Sequence, residues 1–303
     1  MIYDLIIIGG GPAGITAGIY AARKKLKTLI ITKDWGGQIN RASEIHNWPG
    51  TRVISGMGLI GEMTEHMKEY EIEIRKGKEV IDIDKKDNIF TVRDEEKEHE
   101  ARTVIIASGK IPRTLDIPGE DKFRGKGVCV CSTCDAPMYK DKEVAVIGGG
   151  NAGCGAAIDL LKYAKKIYVL EFLEEMKADP IIMDKLMKSG KVECYTNVAV
   201  KEIKGKKFVE GLVYENRDTG KQTELNVAGV FISVGMMAKA GFAEKLVELN
   251  QIGEIVIDKD NYTKTPGLFA AGDISDIKYE QIVIAAGEGA KAALAVTDYL
   301  KKN

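Results

Sequence analysis

A glycine-rich turn between a buried strand and a helix restricts the possible folds of this 303-residue chain more than any other feature. The apolar residues 5–8 lead into Gly9-Gly10-Gly11-Pro12-Ala13-Gly14, and an Ala/Ile-rich helical stretch continues to about Arg23. A second strand is predicted at residues 28–31. A strand, a glycine turn, a helix and a further strand in this order are typical of a parallel α/β sheet.

The same pattern occurs again 139 residues later. Residues 144–147 lead into Gly148-Gly149-Gly150-Asn151-Ala152-Gly153, then into a helix predicted to about Lys166 and a strand at residues 167–170. A single repeat at this distance indicates a second domain of the same type and not a solenoid. We therefore predict an α/β fold with two Rossmann-like three-layer dinucleotide-binding domains.

The order of the segments predicts that the second domain is inserted into the first. A proline-punctuated stretch at residues 111–120 marks a crossover, and residues 74–107 and 192–234 contain short strands separated by charged turns. These two stretches are predicted as β-insertions. The segment 265–273 and a closing helix to about Leu300 fit the first domain. The predicted domains are residues 1–115 with 241–303, and residues 116–240.

Composition excludes several classes of protein. The 44 Lys and Arg residues against 45 Asp and Glu residues lack the positive field that non-specific nucleic-acid binding needs. A hydrophobic content of 45% is inconsistent with a disordered chain. No apolar run approaches the roughly 18 residues of a membrane span, and no signal-peptide pattern precedes the first strand. We expect no membrane association and a cytoplasmic location.

The first glycine set has the spacing of a dinucleotide site. Gly9 permits the tight turn, Gly11 lets the backbone approach a pyrophosphate, and Gly14 allows close helix–strand packing. The acidic residue that often ends the next strand is absent, because Thr32 and Lys33 stand there and Asp34 comes late.

The second glycine set has the acidic residue that the first lacks. Gly148, Gly150 and Gly153 have the same spacing, and Glu171 follows at the end of the next strand. A carboxylate there accepts hydrogen bonds from the adenosine ribose of NAD and repels a 2′-phosphate. Residues 172–175 add two glutamates and no arginine. The pattern predicts an NADH site, with NADPH less favoured.

Two cysteines separated by two residues predict redox chemistry. Cys131 and Cys134 can close a small disulfide, a helix start there would favour a thiolate, and Asp135 is placed to exchange a proton with a departing thiol. Zinc would need two more ligands, and the chain has 3 His. We therefore favour a redox pair and predict no metal site.

The other three cysteines have weaker signals. Cys154 and Cys194 lie in predicted helix and strand and are interpreted as small core residues. Cys129, two positions before the pair, is interpreted as structural, with a resolving or sensor role left open.

Over almost its full length, the chain resembles the low-molecular-weight thioredoxin reductases, which are homodimeric FAD flavoproteins of the pyridine nucleotide-disulfide oxidoreductase type. Its second half is most similar to the flavoprotein reductase of alkyl hydroperoxide reductase, through residues 170–179 and 287–292. The Glu at position 280, where the family usually has a basic residue, and Cys129 are departures. The matching segments are residues 9–14, 36–39, 47–50, 117–120, 131–135, 271–273 and 281–290.

The resemblance implies roles for individual residues. Cys134 would face the flavin, Cys131 would exchange with the partner, and Asp135 would move protons. The implied FAD residues are Gly9, Gly11, Pro12, Ala13, Gly14, Gly37, Gln38, Asn47, Gly109, Gly272, Asp273, Gln281 and Ile282. The implied NADH residues are Gly148, Gly150, Asn151, Ala152, Gly153 and Glu171.

The resemblance also implies a partner and a motion. The acceptor would be a thioredoxin-like, glutaredoxin-like or protein disulfide oxidoreductase protein, separate from this chain because the chain starts at the FAD strand. Rotation of the inserted domain about hinges near Pro118 and residues 240–241 would alternate the reactants. Two alternatives are a ferredoxin-dependent flavin thioredoxin reductase and a non-catalytic flavin or nucleotide redox sensor.

Overall fold

The structure, a computed structural model, describes residues 1–42 and 45–303. Its helices are α1 (Pro12–Arg23), α2 (Gly56–Lys68), α3 (Ser132–Asp135), α4 (Asn151–Leu160), α5 (Pro180–Lys188) and α6 (Ile282–Lys302). Its strands are β1 (Ile2–Gly10), β2 (Thr28–Trp35), β3 (Glu73–Lys76), β4 (Val80–Lys86), β5 (Ile89–Asp94), β6 (Glu98–Ile106), β7 (Lys110–Pro112), β8 (Val128–Cys129), β9 (Glu143–Ile147), β10 (Lys166–Leu170), β11 (Val192–Tyr195), β12 (Val198–Gly205), β13 (Val209–Asn216), β14 (Gln222–Leu225), β15 (Gly229–Ile232), β16 (Met236–Ala238) and β17 (Leu268–Ala270).

The chain divides into two compact units, one of them discontinuous in sequence. The split unit comprises Met1–Ile111 and Met237–Asn303, and the inserted unit comprises Pro112–Met236. The sequence prediction placed the two crossings about four residues later in the chain, after residues 115 and 240. The prediction of an α/β fold with a second Rossmann-like unit inserted into the first is confirmed.

The split unit is built on one sheet in the order β3-β2-β1-β6-β5-β4, with β17 also paired to β6. Strand β1 pairs in parallel with β2 and β6. Leu5 and Ile7 belong to one hydrophobic cluster of the unit, while Ile6 and Ile8 belong to another. A central parallel strand covered on both faces has to be apolar at successive positions, which explains the apolar run in the sequence.

The predicted β-insertion at residues 74–107 joins this main sheet and does not form a separate layer. Strands β4, β5 and β6 form an antiparallel meander. The first half of β6 pairs with β5, and its second half pairs in parallel with β17. The C-terminal segment therefore completes the same sheet that the N-terminal strand begins.

The inserted unit has two sheets. The parallel sheet has the order β11-β10-β9-β15-β8, and β12-β13-β14 form a separate antiparallel sheet from the predicted β-insertion at residues 192–234. Among the described residues, no helix combines the length and the apolar character that a membrane crossing requires.

One predicted helix is too long in the sequence analysis. Helix α4 ends at Leu160 and not near Lys166. The amide groups of Tyr163 and Ala164 both bond to the Leu160 carbonyl oxygen, which forms a tight turn, and Lys166 already belongs to β10. The alanine-rich composition of the helix does not signal this turn, because Lys162 and Tyr163 are themselves compatible with a helix.

Candidate functional site

The first glycine turn lies between β1 and α1 in the split unit, and its three glycines meet different surroundings. A Cβ at Gly9 would lie 2.2 Å from the Ala107 carbonyl oxygen, and Gly9 has a φ of +116°. A Cβ at Gly14 would lie 2.0 Å from the Gly9 oxygen, whereas a Cβ at Gly11 would meet nothing within 4 Å. Gly11 is the N-cap of α1, and Pro12 is its first residue. The helix N-terminus is therefore open to an anion at the point where backbone approach is required.

The other predicted FAD residues of the split unit lie on short segments. Gln38 belongs to a 3₁₀ helix at Gly37–Arg41, Gly109 has a φ of +66°, and Gln281 is the N-cap of α6, in which Ile282 is the first residue. A Cβ at Gly272 would lie 3.1 Å from the Cβ of Ala13.

Asp273 is partly buried and contacts one of these segments through Gln38. Gln38 Nε2 donates to Asp273 Oδ2 at 3.2 Å, and Asn47 Nδ2 donates to Gln281 Oε1 at 3.1 Å. Burial raises the pKa of Asp273, and the nearby negative charge of Glu280 adds to this shift. The structure thus joins Gln38 to Asp273 and Asn47 to Gln281, although 235 and 234 residues separate the partners.

A buried lysine explains the acidic residue at position 280, which the sequence analysis noted only as a departure. Lys110 Nζ lies 2.5 Å from Glu254 Oε1 and 2.6 Å from Glu280 Oε1, and its side chain is 7% exposed. Burial lowers the pKa of Lys110, but the bonds with the two carboxylates outweigh it and leave the pKa raised. Lys110 follows Gly109 and Glu280 precedes Gln281, so the ion pairs join two segments with predicted FAD residues.

The second glycine turn, between β9 and α4 in the inserted unit, repeats the geometry of the first. Gly148 has a φ of +113°, and a Cβ there would lie 2.3 Å from the Ser233 carbonyl oxygen. A Cβ at Gly153 would lie 1.9 Å from the Gly148 oxygen, whereas a Cβ at Gly150 would meet nothing within 4 Å. Both turns therefore combine two glycines that the backbone requires with one that leaves space above a helix N-terminus.

Glu171 lies at the end of β10 and contacts this turn directly. Its side chain is buried, Oε2 accepts a hydrogen bond from the Gly149 amide, and Oε1 accepts one from the Leu173 amide at 2.8 Å. A carboxylate oxygen can accept more than one hydrogen bond. The sequence analysis predicted a ribose ligand here and missed the bonds by which Glu171 holds the glycine turn.

The start of α4 is fixed by a second pair. Asn151 Nδ2 donates to Asp179 Oδ2 at 3.1 Å, and the Asp179 amide donates to Asn151 Oδ1 at 2.7 Å. Ala152, the next residue, is exposed. The predicted residues 148–153 and 171 therefore lie together.

An aromatic residue after Glu171 is held by an arginine from a distant hairpin. The Arg217 guanidinium carbon lies 3.8 Å from the Phe172 ring centroid. Arg217 Nη1 donates to the Phe172 carbonyl oxygen at 2.9 Å and to Asn197 Oδ1 at 3.1 Å. The Phe172 ring is nevertheless 55% exposed. The sequence analysis missed this arrangement, because Arg217 is 45 residues away along the chain.

Cys131 and Cys134 form a disulfide at the short helix α3, with their Cα atoms 5.4 Å apart. Cys131 is the N-cap of this helix, and its Sγ accepts a hydrogen bond from the Cys134 amide at 3.2 Å. Ser132 Oγ donates to Asp159 Oδ2 on α4 at 2.8 Å. Cys134 is exposed and Cys131 is partly buried. The predicted pairing and the predicted helix start are thus both present.

The three remaining cysteines are free thiols. Cys154 is buried within the inserted unit, and burial raises its pKa to about 11. Cys194 is partly buried and packs against the hydrophobic cluster that contains Cys154. Cys129 is buried with its Sγ 3.2 Å from Tyr139 Oη. Within residues 1–42 and 45–303, no group of three or more His, Cys, Asp or Glu side chains is arranged to hold a metal ion.

Comparison with known proteins gives consistent matches. The family model described as "Pyridine nucleotide-disulphide oxidoreductase" matches residues 3–289. The chain is 42% identical over 302 residues to the F subunit of alkyl hydroperoxide reductase from Staphylococcus aureus, covering 99% of this chain and 60% of that protein. It is 40% identical over 301 residues to a protein named NADH dehydrogenase of Bacillus subtilis, covering 99% of this chain and 59% of the other. The chain thus spans about 60% of the length of these curated relatives.

Solved structures agree with the fold. The thioredoxin reductase of Lactococcus lactis superposes with a TM-score of 0.90 at 34% identity, covering 99% of this chain and 100% of the other. The thioredoxin reductase of T. acidophilum has a TM-score of 0.86 at 34% identity, covering 98% of each chain.

Proposed function

Because the chain belongs to the pyridine nucleotide-disulphide oxidoreductase family, we propose that it transfers electrons from NADH through FAD to the disulfide of a small thioredoxin-like or glutaredoxin-like protein. Membership in this family implies FAD and a pyridine nucleotide as cofactors. The observation that carries the proposal is the Cys131–Cys134 disulfide in a unit that also has a dinucleotide-type glycine turn. A relay needs both features: a site for the electron donor and a disulfide that can be reduced.

The split unit fits FAD. The space above Gly11 accommodates a pyrophosphate at the N-terminus of α1. Asp273 is a partly buried carboxylate with raised pKa that accepts a neutral hydrogen bond from Gln38, so it retains acceptor capacity for the hydroxyl groups of a ribityl chain. Gln281, oriented by Asn47, supplies an amide for the ring system. When bound, FAD would supply the two-electron transfer between nicotinamide and disulfide.

The inserted unit favours NADH over NADPH. Glu171 places a buried negative charge beside the turn that would hold the pyrophosphate, and Glu174 and Glu175 are exposed after it. A ribose hydroxyl can donate to a carboxylate, whereas a 2′-phosphate would be repelled by it. Arg217 has its Nη1 bonded to the backbone and Asn197 and its face stacked on Phe172. The Phe172 ring, fixed on one side, offers its exposed side to the adenine ring.

The transfer to the partner balances as a dithiol–disulfide exchange. NADH and one proton reduce the Cys131–Cys134 bond to two thiols and give NAD⁺. The Cys131 thiolate attacks one sulfur of the partner's disulfide, and a partner thiolate leaves. The Cys134 thiolate then attacks the Cys131 sulfur, which restores the disulfide and releases the second partner thiolate. Asp135 supplies and accepts the protons of these thiolates.

A nucleotide comparison tests the proposal. Anaerobic holoprotein is mixed with NADH or NADPH at matched concentrations, and flavin bleaching is followed by stopped flow; oxidised thioredoxin is then added. We expect NADH to act at a roughly 5- to 150-fold lower concentration, since one mismatched polar group costs ~1–3 kcal/mol. We also expect thioredoxin to restore the flavin colour.

Each contrary result of this nucleotide comparison would overturn a different part of the proposal. If NADPH is preferred, the assignment of Glu171 is wrong while the disulfide reductase function stands. If neither nucleotide bleaches the flavin, electron entry from ferredoxin or a sensor function replaces the proposal. If bleaching occurs but no thioredoxin-like or glutaredoxin-like protein is reduced, the proposed acceptor class is wrong.

Trapping identifies the sulfur that meets the partner. In Cys134→Ser, the mixed disulfide between Cys131 and the partner cannot be resolved, so a covalent complex should accumulate with a single-cysteine thioredoxin-type partner activated by an aromatic disulfide. Cys131→Ser is the matched control and should give little complex. If Cys131→Ser traps the partner instead, the two sulfurs have the reverse roles, in keeping with the greater exposure of Cys134.

A further inference from the structure

A carboxylate on α4 binds both residues that separate the redox cysteines. Ser132 Oγ donates to Asp159 Oδ2 at 2.8 Å, and Thr133 Oγ1 donates to the same oxygen at 3.4 Å. All three side chains belong to partly buried residues. The first bond has the length of a normal hydroxyl–oxygen hydrogen bond, whereas the second is long and therefore weak. One oxygen of Asp159 thus holds the middle of the Cys131–Cys134 turn from outside that turn.

Asp159 occupies a position that its own helix disfavours. It lies in the last turn of α4, which ends at Leu160 and has no basic residue in that turn. The C-terminus of a helix is the negative end of the helix dipole, so a carboxylate there lowers the stability of the helix. The hydroxyl groups of Ser132 and Thr133 are the donors that stabilise this carboxylate.

The rest of the redox segment is anchored at its two ends. Before the pair, β8 joins the parallel sheet by pairing with β15. After the pair, Tyr139 is buried, and its ring meets Phe231 edge-on with the centroids 5.2 Å apart. Between these ends, the Asp135 amide donates to the Cys131 carbonyl oxygen at 3.1 Å. Asp159 adds a side-chain anchor to this middle section.

Reduction of the disulfide changes what holds the turn. While the disulfide is closed, it links the N-cap of α3 to the third residue of that helix. Once it is open, the two thiols stay close only as far as the turn keeps its shape. A turn that is already ordered loses less conformational freedom when the sulfurs rejoin, so an anchor favours the disulfide over the dithiol. The negative charge of Asp159 acts in the same direction, because a nearby carboxylate disfavours a thiolate.

We propose that Asp159 is a positioning residue for the redox pair: by holding Ser132 and Thr133, it keeps the Cys131–Cys134 turn in shape after reduction and shifts the equilibrium toward the disulfide. The reduced pair is thereby a stronger reductant, which favours the transfer of its electrons to the partner protein. The inference rests on the proposed function, in which the pair is reduced by NADH and oxidised by a partner disulfide. Helix α4 begins at the second glycine turn and ends beside the redox turn, so one helix supports both.

The test is the equilibrium between this disulfide and a small dithiol. Anaerobic holoprotein is equilibrated with mixtures of reduced and oxidised dithiothreitol, quenched with acid, and alkylated under denaturing conditions. The mass of the tryptic peptide 127–140 gives the reduced fraction, because Cys129 is alkylated in both states and the redox pair only when it is open. The exchange balances, since each protein disulfide that opens to two thiols converts one dithiothreitol to its cyclic disulfide. The measured quantity is the equilibrium constant for closing the protein disulfide.

The variants separate the hydrogen bonds from the charge. Asp159→Ala removes both, and we expect the constant to fall roughly 3- to 10-fold, a coupling typical of residues in one hydrogen-bond network. A tenfold fall corresponds to about 30 mV for a two-electron couple. Ser132→Ala loses the shorter bond and should give a smaller fall, and Thr133→Val, which loses the weak bond, should give the smallest. Asp159→Asn keeps an acceptor and should lie between wild type and Asp159→Ala.

Asp184→Asn is the matched control for Asp159→Asn. Asp184 is an exposed aspartate on α5 of the same unit, and its Oδ2 lies 3.7 Å from Lys188 Nζ on its own helix. The control removes one negative charge without removing a bond to the redox turn, so its constant should equal that of wild type. The free energy of unfolding in urea is measured for every variant with the disulfide closed.

Failure of the inference and failure of the proposed function give different results. If NADH does not reduce the wild-type pair, the proposed function fails, while the equilibrium with dithiothreitol still decides the role of Asp159. If Asp159→Ala and Ser132→Ala lower the free energy of unfolding but leave the constant unchanged, Asp159 only stabilises the fold and the inference is overturned. A rise in the constant also overturns it, because the anchor would then favour the dithiol.

The control and the milder variants complete the test. If Asp184→Asn lowers the constant as much as Asp159→Asn does, the overall charge of the unit replaces the local anchor as the cause. If Asp159→Ala does not fold, Ser132→Ala and Asp159→Asn still decide the inference, because they remove one bond or the charge alone.

Discussion

A methyl group at Gly150 should separate nucleotide binding from folding. Gly150 has an extended backbone that any residue adopts, with φ −83° and ψ −178°, and a Cβ there meets no atom of the chain within 4 Å. Gly150→Ala should therefore fold with a stability within about 1 kcal/mol of wild type, or slightly higher. The added methyl group occupies the space in which a pyrophosphate must approach the amides at the start of α4. Loss of one or two charge-assisted hydrogen bonds, at ~1.5–3 kcal/mol each, predicts at least a tenfold increase in the Kd for NADH.

The matched variant at the other end of the turn should behave in the opposite way. A Cβ at Gly153 would lie 1.9 Å from the Gly148 carbonyl oxygen, so Gly153→Ala must displace backbone and should lower the free energy of unfolding by several kcal/mol, about the cost of severe overpacking. The assay combines urea unfolding, the flavin content of the purified protein and titration with NADH. Retention of flavin in Gly150→Ala shows that the split unit is intact. An unchanged Kd for NADH in folded Gly150→Ala would refute the assignment of this turn.

Two further predictions concern the nucleotide turn and the stability of the split unit. Phe172→Ala should weaken the binding of NADH and of 5′-AMP by about the same factor, on the order of tenfold, because both ligands lose a stacking contact. Arg217→Ala should weaken the binding of both ligands by a smaller factor. If Arg217→Ala instead loses the binding of NADPH alone, Arg217 is a phosphate ligand. Asp94 is buried, and although burial raises its pKa, bonds from His99 and Arg75 bring the pKa well below its usual range. A lowered folded-state pKa contributes stability above the unfolded value of about 3.9 that is lost as the pH falls below it. Asp94→Asn should thus cost ~3 kcal/mol in urea unfolding at pH 7 and much less near pH 2, and equal costs at both pH values would contradict this.

The features that the sequence predicted are those with a local signal. The two glycine turns, the strands before them and the cysteine spacing can be recognised within a few residues, because a tight turn above a helix N-terminus admits few residue types. Fold class, the order of the segments and the Cys131–Cys134 pairing follow from such signals. The end of α4 was mispredicted because the turn at Leu160 depends on backbone bonds within a stretch compatible with a helix.

The features that the sequence did not predict depend on contacts between distant segments. Lys110 finds its carboxylates 144 and 170 residues away, and Arg217 finds Phe172 across 45 residues. Such contacts leave no periodicity in the sequence. Glu280 gave a partial signal, since an acidic residue in place of a basic one requires a new partner, and the buried Lys110 is that partner.

The central claim is that electrons pass from NADH through FAD to the Cys131–Cys134 disulfide. An anaerobic titration with NADH counts the electrons that each chain accepts before the flavin remains bleached. The wild-type protein should consume about two NADH per chain, one for the flavin and one for the disulfide, whereas Cys134→Ala should consume about one. Equal consumption by the two proteins would contradict the account, because the disulfide would then lie outside the electron path.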